Sequence, residues 1–183
     1  MRIIGGFLKN RAIKTPKGSQ TRPTSERLRE TVFNIAQHAV EGKTFLDLFA
    51  GSGAMGFEAL SRGAVSATFI EKDRLALKAL DDNIAALGLK NQAKVISGDV
   101  LAVIKRLNGL SFDLIYVDPP YEKGLQIMAL ELIERYQLLA PDGLLFVEES
   151  EKTVLDFSSL SLLALRKKRK VGSTFLYELM STA

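Results

Sequence analysis

Cysteine is absent from the 183-residue chain. Disulfides are thereby excluded and a reducing compartment is the natural setting. Chemistry that needs a thiolate nucleophile, including methylation at C5 of a pyrimidine, is excluded as well. Histidine is reduced to one residue, His38, so no Cys/His cluster exists to bind zinc and no metal site is expected. His38 itself is expected on a helix surface with no catalytic role. No run of 18 apolar residues occurs, so no membrane-spanning helix is predicted. The opening "MRIIGGFLKN" lacks the long apolar stretch of a secretory signal, and the expectation is a cytoplasmic protein without membrane association.

Hydrophobic residues make up 46% of the chain, enough for a proper core. The length suits one domain, and no linker or internal repeat divides residues 1–183. The net charge of +4 is unevenly placed. Residues 1–30 carry Arg2, Lys9, Arg11, Lys14, Lys17, Arg22, Arg27 and Arg29 against Glu26 and Glu30, a surplus of six. The remainder of the chain is therefore slightly acidic. A basic arm on a near-neutral body points to a polyanionic partner.

Beyond the arm, strand-like and helix-like segments alternate. Residues 44–49, 66–71, 93–97, 112–118 and 143–149 read as strands. Residues 54–63, 73–88, 99–108 and 124–139 read as helices, the first two closed by Gly63 and Gly88. Such alternation predicts a parallel sheet with helices on both faces. Residues 160–180 have no room for a crossover helix and read as an antiparallel hairpin turning through Lys170–Ser173. The predicted fold is α/β and Rossmann-like: seven strands, mostly parallel, with an antiparallel last strand. A short N-terminal hairpin precedes it, and a helix over 25–39 is capped by Thr24, with Leu28, Val32, Phe33, Ile35 and Ala36 facing the core.

The first strand runs into "LDLFAGSGAMGFEAL", which contains G-x-G-x-x-G at Gly51, Gly53 and Gly56. A glycine turn between strand and helix lets backbone approach a ligand closely. In dinucleotide enzymes a pyrophosphate sits on the helix N-terminus there. Asp47 at the strand end argues otherwise: it would repel a pyrophosphate but suits the ammonium and sulfonium groups of S-adenosylmethionine. Glu71, 18 residues after Gly53, is placed to accept both ribose hydroxyls under either reading. Asp99, after the third strand, is placed to bond an adenine amino group. Gly56 is expected to serve helix packing rather than the ligand.

"VDPPY" (117–121) follows the fourth strand, where doubly wound folds bind ligands. Pro119 and Pro120 fix an extended path and leave the preceding carbonyls free. Asp118 adds an acceptor and Tyr121 an aromatic face. Such groups suit a planar base with an exocyclic amino group, whose nitrogen is a poor nucleophile. Accepting its hydrogens at the Asp118 carboxylate and the Pro119 carbonyl aims the lone pair at a methyl group. Tyr121 can stack on the base. A dinucleotide-dependent oxidoreductase is the rival from another class, and a non-catalytic RNA-binding module a third reading.

"DLFAGSGAMGFEALSRGA" together with "DPPY" resembles the S-adenosylmethionine-dependent amino-methyltransferases, and "RIIGG…GSQTRPTSERLRETVFNI" resembles the RsmD family of bacterial small-subunit ribosomal RNA guanine-N2 methyltransferases. The resemblance covers essentially the whole chain. It departs at Asn10, where the family often has glycine, and at "SER" (25–27). It implies a cofactor site at Asp47, Phe49, Ala50, Gly51, Ser52, Gly53, Glu71, Lys72, Asp99 and Val100, with Asp118, Pro119, Pro120 and Tyr121 holding the guanine. It also implies RNA contacts from Arg2, Arg11 and Arg22, on an RNA-binding arm spanning 1–23. Arg22 has a second reading, covering the cofactor's carboxylate end. Arg166, Lys167, Lys168 and Arg169 form a second candidate RNA surface. The implied substrate is small-subunit ribosomal RNA, within a ribosomal particle, for a monomeric enzyme. The same chemistry on DNA adenine-N6 or a protein glutamine is the nearest alternative.

Overall fold

The computed structural model describes residues 1–16, 25–120 and 124–182. The helix α1 (Glu26–Ile35) precedes β1 (Thr44–Asp47), α2 (Ala54–Ser61), β2 (Ser66–Glu71), α3 (Arg74–Leu87) and β3 (Ala93–Ser97). Then follow α4 (Val100–Val103), which continues as a 3-10 turn to Leu107, β4 (Phe112–Val117) and α5 (Leu125–Arg135). The chain closes with β5 (Leu139–Ser150), β6 (Leu163–Val171) and β7 (Thr174–Ser181). The seven strands lie in the order β3-β2-β1-β4-β5-β7-β6, and β7 runs antiparallel to both of its neighbours. The predicted α/β plan with one reversed strand is therefore what the chain adopts.

Each central strand buries both faces, which explains its continuous apolar reading. Phe45, Phe69, Leu114, Tyr116, Phe146 and Leu176 pack with α1, α2 and α3. Their alternating neighbours Leu46, Ile70, Ile115, Val117, Leu145 and Val147 pack with α4, α5 and the β6–β7 hairpin. α3 begins at Asp73, whose carboxylate accepts from the Ala76 N–H at 2.8 Å, and ends at Gly88 with φ 73°. The left-handed residue there is a typical helix stop. A Gly172-Ser173 turn joins β6 to β7, with φ 64° at the glycine, as two-residue hairpin turns require.

Several predicted boundaries shift. β1 ends at Asp47, because residues 48–50 leave the strand to build the glycine loop. α1 ends at Ile35, so His38 lies on an exposed turn beyond it rather than on a helix surface. Ser25 caps α1 by accepting from the Leu28 N–H at 3.1 Å; the predicted cap, Thr24, lies outside the described residues. α5 stops at Arg135, and β5 starts earlier than predicted, since Leu139 pairs with Phe112 before an irregularity brings Leu144 opposite Leu114. A Cβ at Gly143 would sit 2.9 Å from the Ala140 carbonyl, so only glycine fits that bend.

The N-terminal hairpin is present as a single antiparallel bridge, Arg2 opposite Ala12, with Asn10 in the left-handed region at φ 68°. Asparagine tolerates that conformation, which accounts for its standing in for glycine. The hairpin is docked on α2. Glu58 accepts from the N–H groups of Ile4 and Gly5 at 2.9 and 2.7 Å and from Arg62 Nε at 2.8 Å. The Ser61 hydroxyl accepts from the Leu8 N–H at 2.9 Å. Arg29 is also internal: it is completely buried and donates to the Arg2 carbonyl and to Met1 Sδ. Burial holds its pKa below the ordinary arginine value, against the opposing pull of Glu58. It therefore adds nothing to the basic surface in which the sequence had counted it.

Candidate active site

β1 and β4 are adjacent, yet their chains leave to opposite faces, β1 to α2 and β4 to α5. Their carboxyl ends open the crevice at which doubly wound sheets bind ligands. The glycine loop starts by extending the sheet: the Leu48 N–H reaches the Tyr116 carbonyl and the Ala50 N–H the Ile70 carbonyl. Gly51 and Gly53 then take φ values of 53° and 84°, which favour glycine.

The three glycines have different surroundings. A Cβ at Gly56 would lie 2.2 Å from the Phe69 ring, so this residue is a packing contact between α2 and β2, as expected. A Cβ at Gly53 would strike Leu80 and Phe57. At Gly51 nothing lies within 4 Å, leaving a backbone cradle open to a ligand.

Asp47 is almost entirely buried, and its Oδ2 has no hydrogen-bond partner. Burial pushes its pKa up to about 7 and the charge of Glu71 adds to this, against N–H groups of Gly56 and Phe49 that favour the anion. A cation brought to this oxygen would relieve the strain. Glu71 closes the loop from the other side, accepting from the N–H groups of Gly51, Lys72 and Asp73 at 2.7, 2.7 and 2.8 Å. Asp99 caps α4 through the Leu101 N–H at 3.1 Å and pairs with Lys72 at 2.8 Å. The hydrogen bond from Lys72 lowers the Asp99 pKa and raises that of Lys72.

Of the other predicted cofactor residues, Ser52 offers its carbonyl to Asn83 at 3.1 Å. Phe49 packs on the layer under α4 and α5, and Ala50 lies in the opposite core. The Val100 side chain points into the α4–α5 core. An orphaned buried carboxylate oxygen, an open glycine cradle and a carboxylate at the end of β2 together fit S-adenosylmethionine, with its ammonium, its methionine chain and its ribose diol.

Across the crevice, Asp118 is half-buried, Pro119 buried and Pro120 exposed, while Tyr121 lies outside the described residues. Sequence reasoning missed what stands beneath them. Tyr116, two residues before Asp118, donates its hydroxyl to Glu148 Oε2 at 2.7 Å, and both groups are buried. Burial raises the Tyr116 pKa well above its ordinary value, and the charges of Asp118 and Glu148 raise it further. Register places Asp47 beside Tyr116 and Tyr116 beside Phe146. Asp47, Tyr116 and Glu148 thus share one face at the carboxyl ends of β1, β4 and β5, and Asp118, just past β4, is near enough for its charge to act on Tyr116. An acid two residues after Phe146, directly following the apolar run Leu144–Val147, was the available signal for Glu148.

The predicted RNA-contacting residues divide. Arg2 and Arg11 lie exposed on the hairpin, donating to the carbonyls of Asn10 and Ala86; Arg22 is outside the described residues. On β6, Arg166 and Arg169 both pair with the buried Glu178. Lys168 lies 3.7 Å from the Phe175 ring centroid, a cation–π contact. Lys170 pairs with Glu151, and Lys167 is exposed. Among the described residues no group of three acidic, His or Cys side chains is placed to hold a metal. No described helix is long and apolar enough to cross a membrane.

A family model described as Conserved hypothetical protein 95 matches residues 1–180. The chain is 39% identical over 148 residues to Ribosomal RNA small subunit methyltransferase D of Escherichia coli strain K12, covering 81% of this chain and 74% of that one. Its counterpart of the same name in Haemophilus influenzae is 36% identical over 181 residues, covering 97% and 93%. Among solved structures, yhhF of Escherichia coli superposes with a TM-score of 0.87 at 33% identity, over 100% of this chain and 98% of that one. TrmN of Thermus thermophilus, at 23% identity and a TM-score of 0.69 over 84% and 48%, shares the fold.

Proposed function

The chain belongs to the Conserved hypothetical protein 95 family, the RsmD family, and from that premise we propose that it is an S-adenosylmethionine-dependent ribosomal RNA methyltransferase that methylates the exocyclic N2 of a guanine in the small-subunit RNA. The observation that carries the reading is the convergence of the open Gly51 cradle and the unpartnered Asp47 Oδ2 with Asp118 across one crevice. Relatives named as small-subunit ribosomal RNA methyltransferases support the RNA as substrate. The guanine N2 is the finer part, and the DPPY sequence supports an amino target.

S-adenosylmethionine supplies an electrophilic methyl group on a sulfonium. Asp47 faces the ligand's cationic end, Gly51 gives it backbone room, and Glu71 turns from the loop amides to the ribose. Asp118 and the Pro119 carbonyl accept the two amino hydrogens of the guanine, so the nitrogen lone pair points at the methyl. Tyr121 stacks on the base. With the donor bound, the guanine nitrogen would take the methyl as S-adenosylhomocysteine leaves; Asp118 would lie beside the positive charge growing on that nitrogen, and its carboxylate or water would take one amino proton. Residues 1–23 serve as an RNA-contacting extension of the single domain. The protein acts as a monomer on a ribosomal particle in the cytoplasm.

Asp118→Ala is expected to abolish methylation of small-subunit RNA while S-adenosylmethionine binding, followed by calorimetry, stays within a few fold. Normal turnover by this variant would refute the mechanism. Label from the methyl donor appearing only in DNA or protein pools would refute the RNA substrate.

A further inference from the structure

The docked hairpin carries a feature that methyl transfer does not use. Phe7 is 68% exposed and is the only exposed phenylalanine or tyrosine among the described residues. Single exposed apolar side chains are common on soluble proteins, so its surroundings decide what it means. Its own N–H donates to the Ser61 carbonyl at 2.8 Å. Before it, Gly6 approaches α2 so closely that a Cβ would sit 1.7 Å from the Ser61 carbonyl oxygen. After it, Leu8 is buried in the core and bonded to the Ser61 hydroxyl. The backbone on both sides is pinned, so the exposed ring stands on an anchored stretch of chain.

The hairpin itself carries charge of one sign, with no acidic residue between Met1 and Lys14. Arg2, Lys9 and Arg11 are exposed on the same hairpin, and none of them has a carboxylate partner among the described residues. An exposed ring on an anchored hairpin whose cations have no carboxylate partner is an arrangement that binds unpaired nucleotides. The bases stack on the ring while the cations take the phosphates. An apolar protein partner would not call for three cations on the same hairpin.

We propose that Phe7 is a stacking platform for an unpaired base of the substrate RNA, with Arg2, Lys9 and Arg11 holding the adjoining phosphates. This rests on the reading of the protein as an RNA methyltransferase. The base on Phe7 is a different one from the methyl acceptor. Phe7 lies at the Ser61 end of α2, and the glycine loop lies at the other, about 12 Å away at 1.5 Å per residue. The platform therefore sets which RNA shape can present a guanine to Asp118.

The chain contains no tryptophan, so Phe7→Trp installs a lone fluorophore at the platform. Deproteinised small-subunit ribosomal RNA is the probe. Phe7→Ala and Phe7→Leu are expected to bind it roughly 5- to 100-fold more weakly than the unaltered protein. Phe7→Trp is expected to bind at least as well, with its emission changing on RNA addition. Melting temperature and S-adenosylmethionine affinity are expected to stay constant in all three. Unchanged RNA affinity in the alanine variant would overturn the inference, as would full rescue by leucine, which fills space without stacking. A defect seen only with assembled small-subunit particles would overturn it in favour of a protein contact. In each of those cases the methyltransferase reading stands. Failure of the unaltered protein to bind or methylate ribosomal RNA would remove that reading and the inference together.

Discussion

Glu58 and Asp47 are both buried carboxyl groups of the β1–loop–α2 unit, and their surroundings differ. Glu58, near the C-terminal end of α2, receives two backbone N–H groups and a guanidinium. Asp47, at the opposite end, keeps one oxygen with no partner. The glycines follow the same division: Gly56 is filled by Phe69, and Gly51 faces open space. Burying a polar group without a partner costs stability. The end that holds the arm is satisfied by the protein itself, whereas the end facing the crevice is left for a ligand to satisfy.

Glu58→Ala should give the largest effect. It leaves the Ile4 and Gly5 N–H groups and Arg62 without their acceptor, at a cost of about 3–5 kcal/mol, or a melting temperature lower by roughly 10 °C. Calorimetric melting checks this, and a loss below about 1 kcal/mol would erase the contrast with Asp47.

Asp47→Asn should act in the opposite direction. The Asp47 carboxyl has the ordinary aspartate pKa of 3.8 in the unfolded chain and is pushed up to about 7 by burial when folded. Between those values the folded state holds the extra proton. The stability this contributes is complete below about pH 4 and lost as the pH rises through about 7. The asparagine variant has no such slope, so its melting temperature should gain on the unaltered protein from pH 5 to pH 8, by the equivalent of roughly 2–4 kcal/mol. At pH 8 the variant should also bind S-adenosylmethionine at least tenfold more weakly, for want of a counter-charge. Parallel melting profiles for the two proteins would show that Asp47 is not strained.

Gly56→Ala sharpens the contrast more gently. Overpacking against Phe69 should cost about 1–3 kcal/mol in urea denaturation, and Phe69→Leu in the same chain should recover part of it. Gly51→Ala should cost about 1 kcal/mol through its positive φ alone.

These differences bear on what the sequence could convey. The alternation of strands and helices was legible because burial on both faces leaves continuous apolar runs, and every central strand obeyed that rule. The glycine loop, Glu71 and Asp118 were legible because they occupy fixed offsets from strand ends. Glu58 was not, since its backbone partners lie 53 and 54 residues earlier in the chain and an acid in a short helix looks like a solvated one. Arg29 was misjudged for the same reason: its partners, the Met1 sulfur and the Arg2 carbonyl, are distant in sequence. The Tyr116–Glu148 pair needed the register of β4 against β5, which turns on the irregularity after Phe112.

That register gives the site a reading frame. Tyr116, Phe146 and Glu148 are all even-numbered, and the strand pairing sets them on the same side of the sheet as Asp47; Asp118 follows β4 at the next even position, and its charge acts on Tyr116. A single residue inserted or deleted within β4 would reverse that parity. Asp118 would then turn toward the α4–α5 layer, away from Asp47, with no change in the composition of the site. The crevice therefore depends on the reading frame of β4 as well as on the side chains that the strand carries.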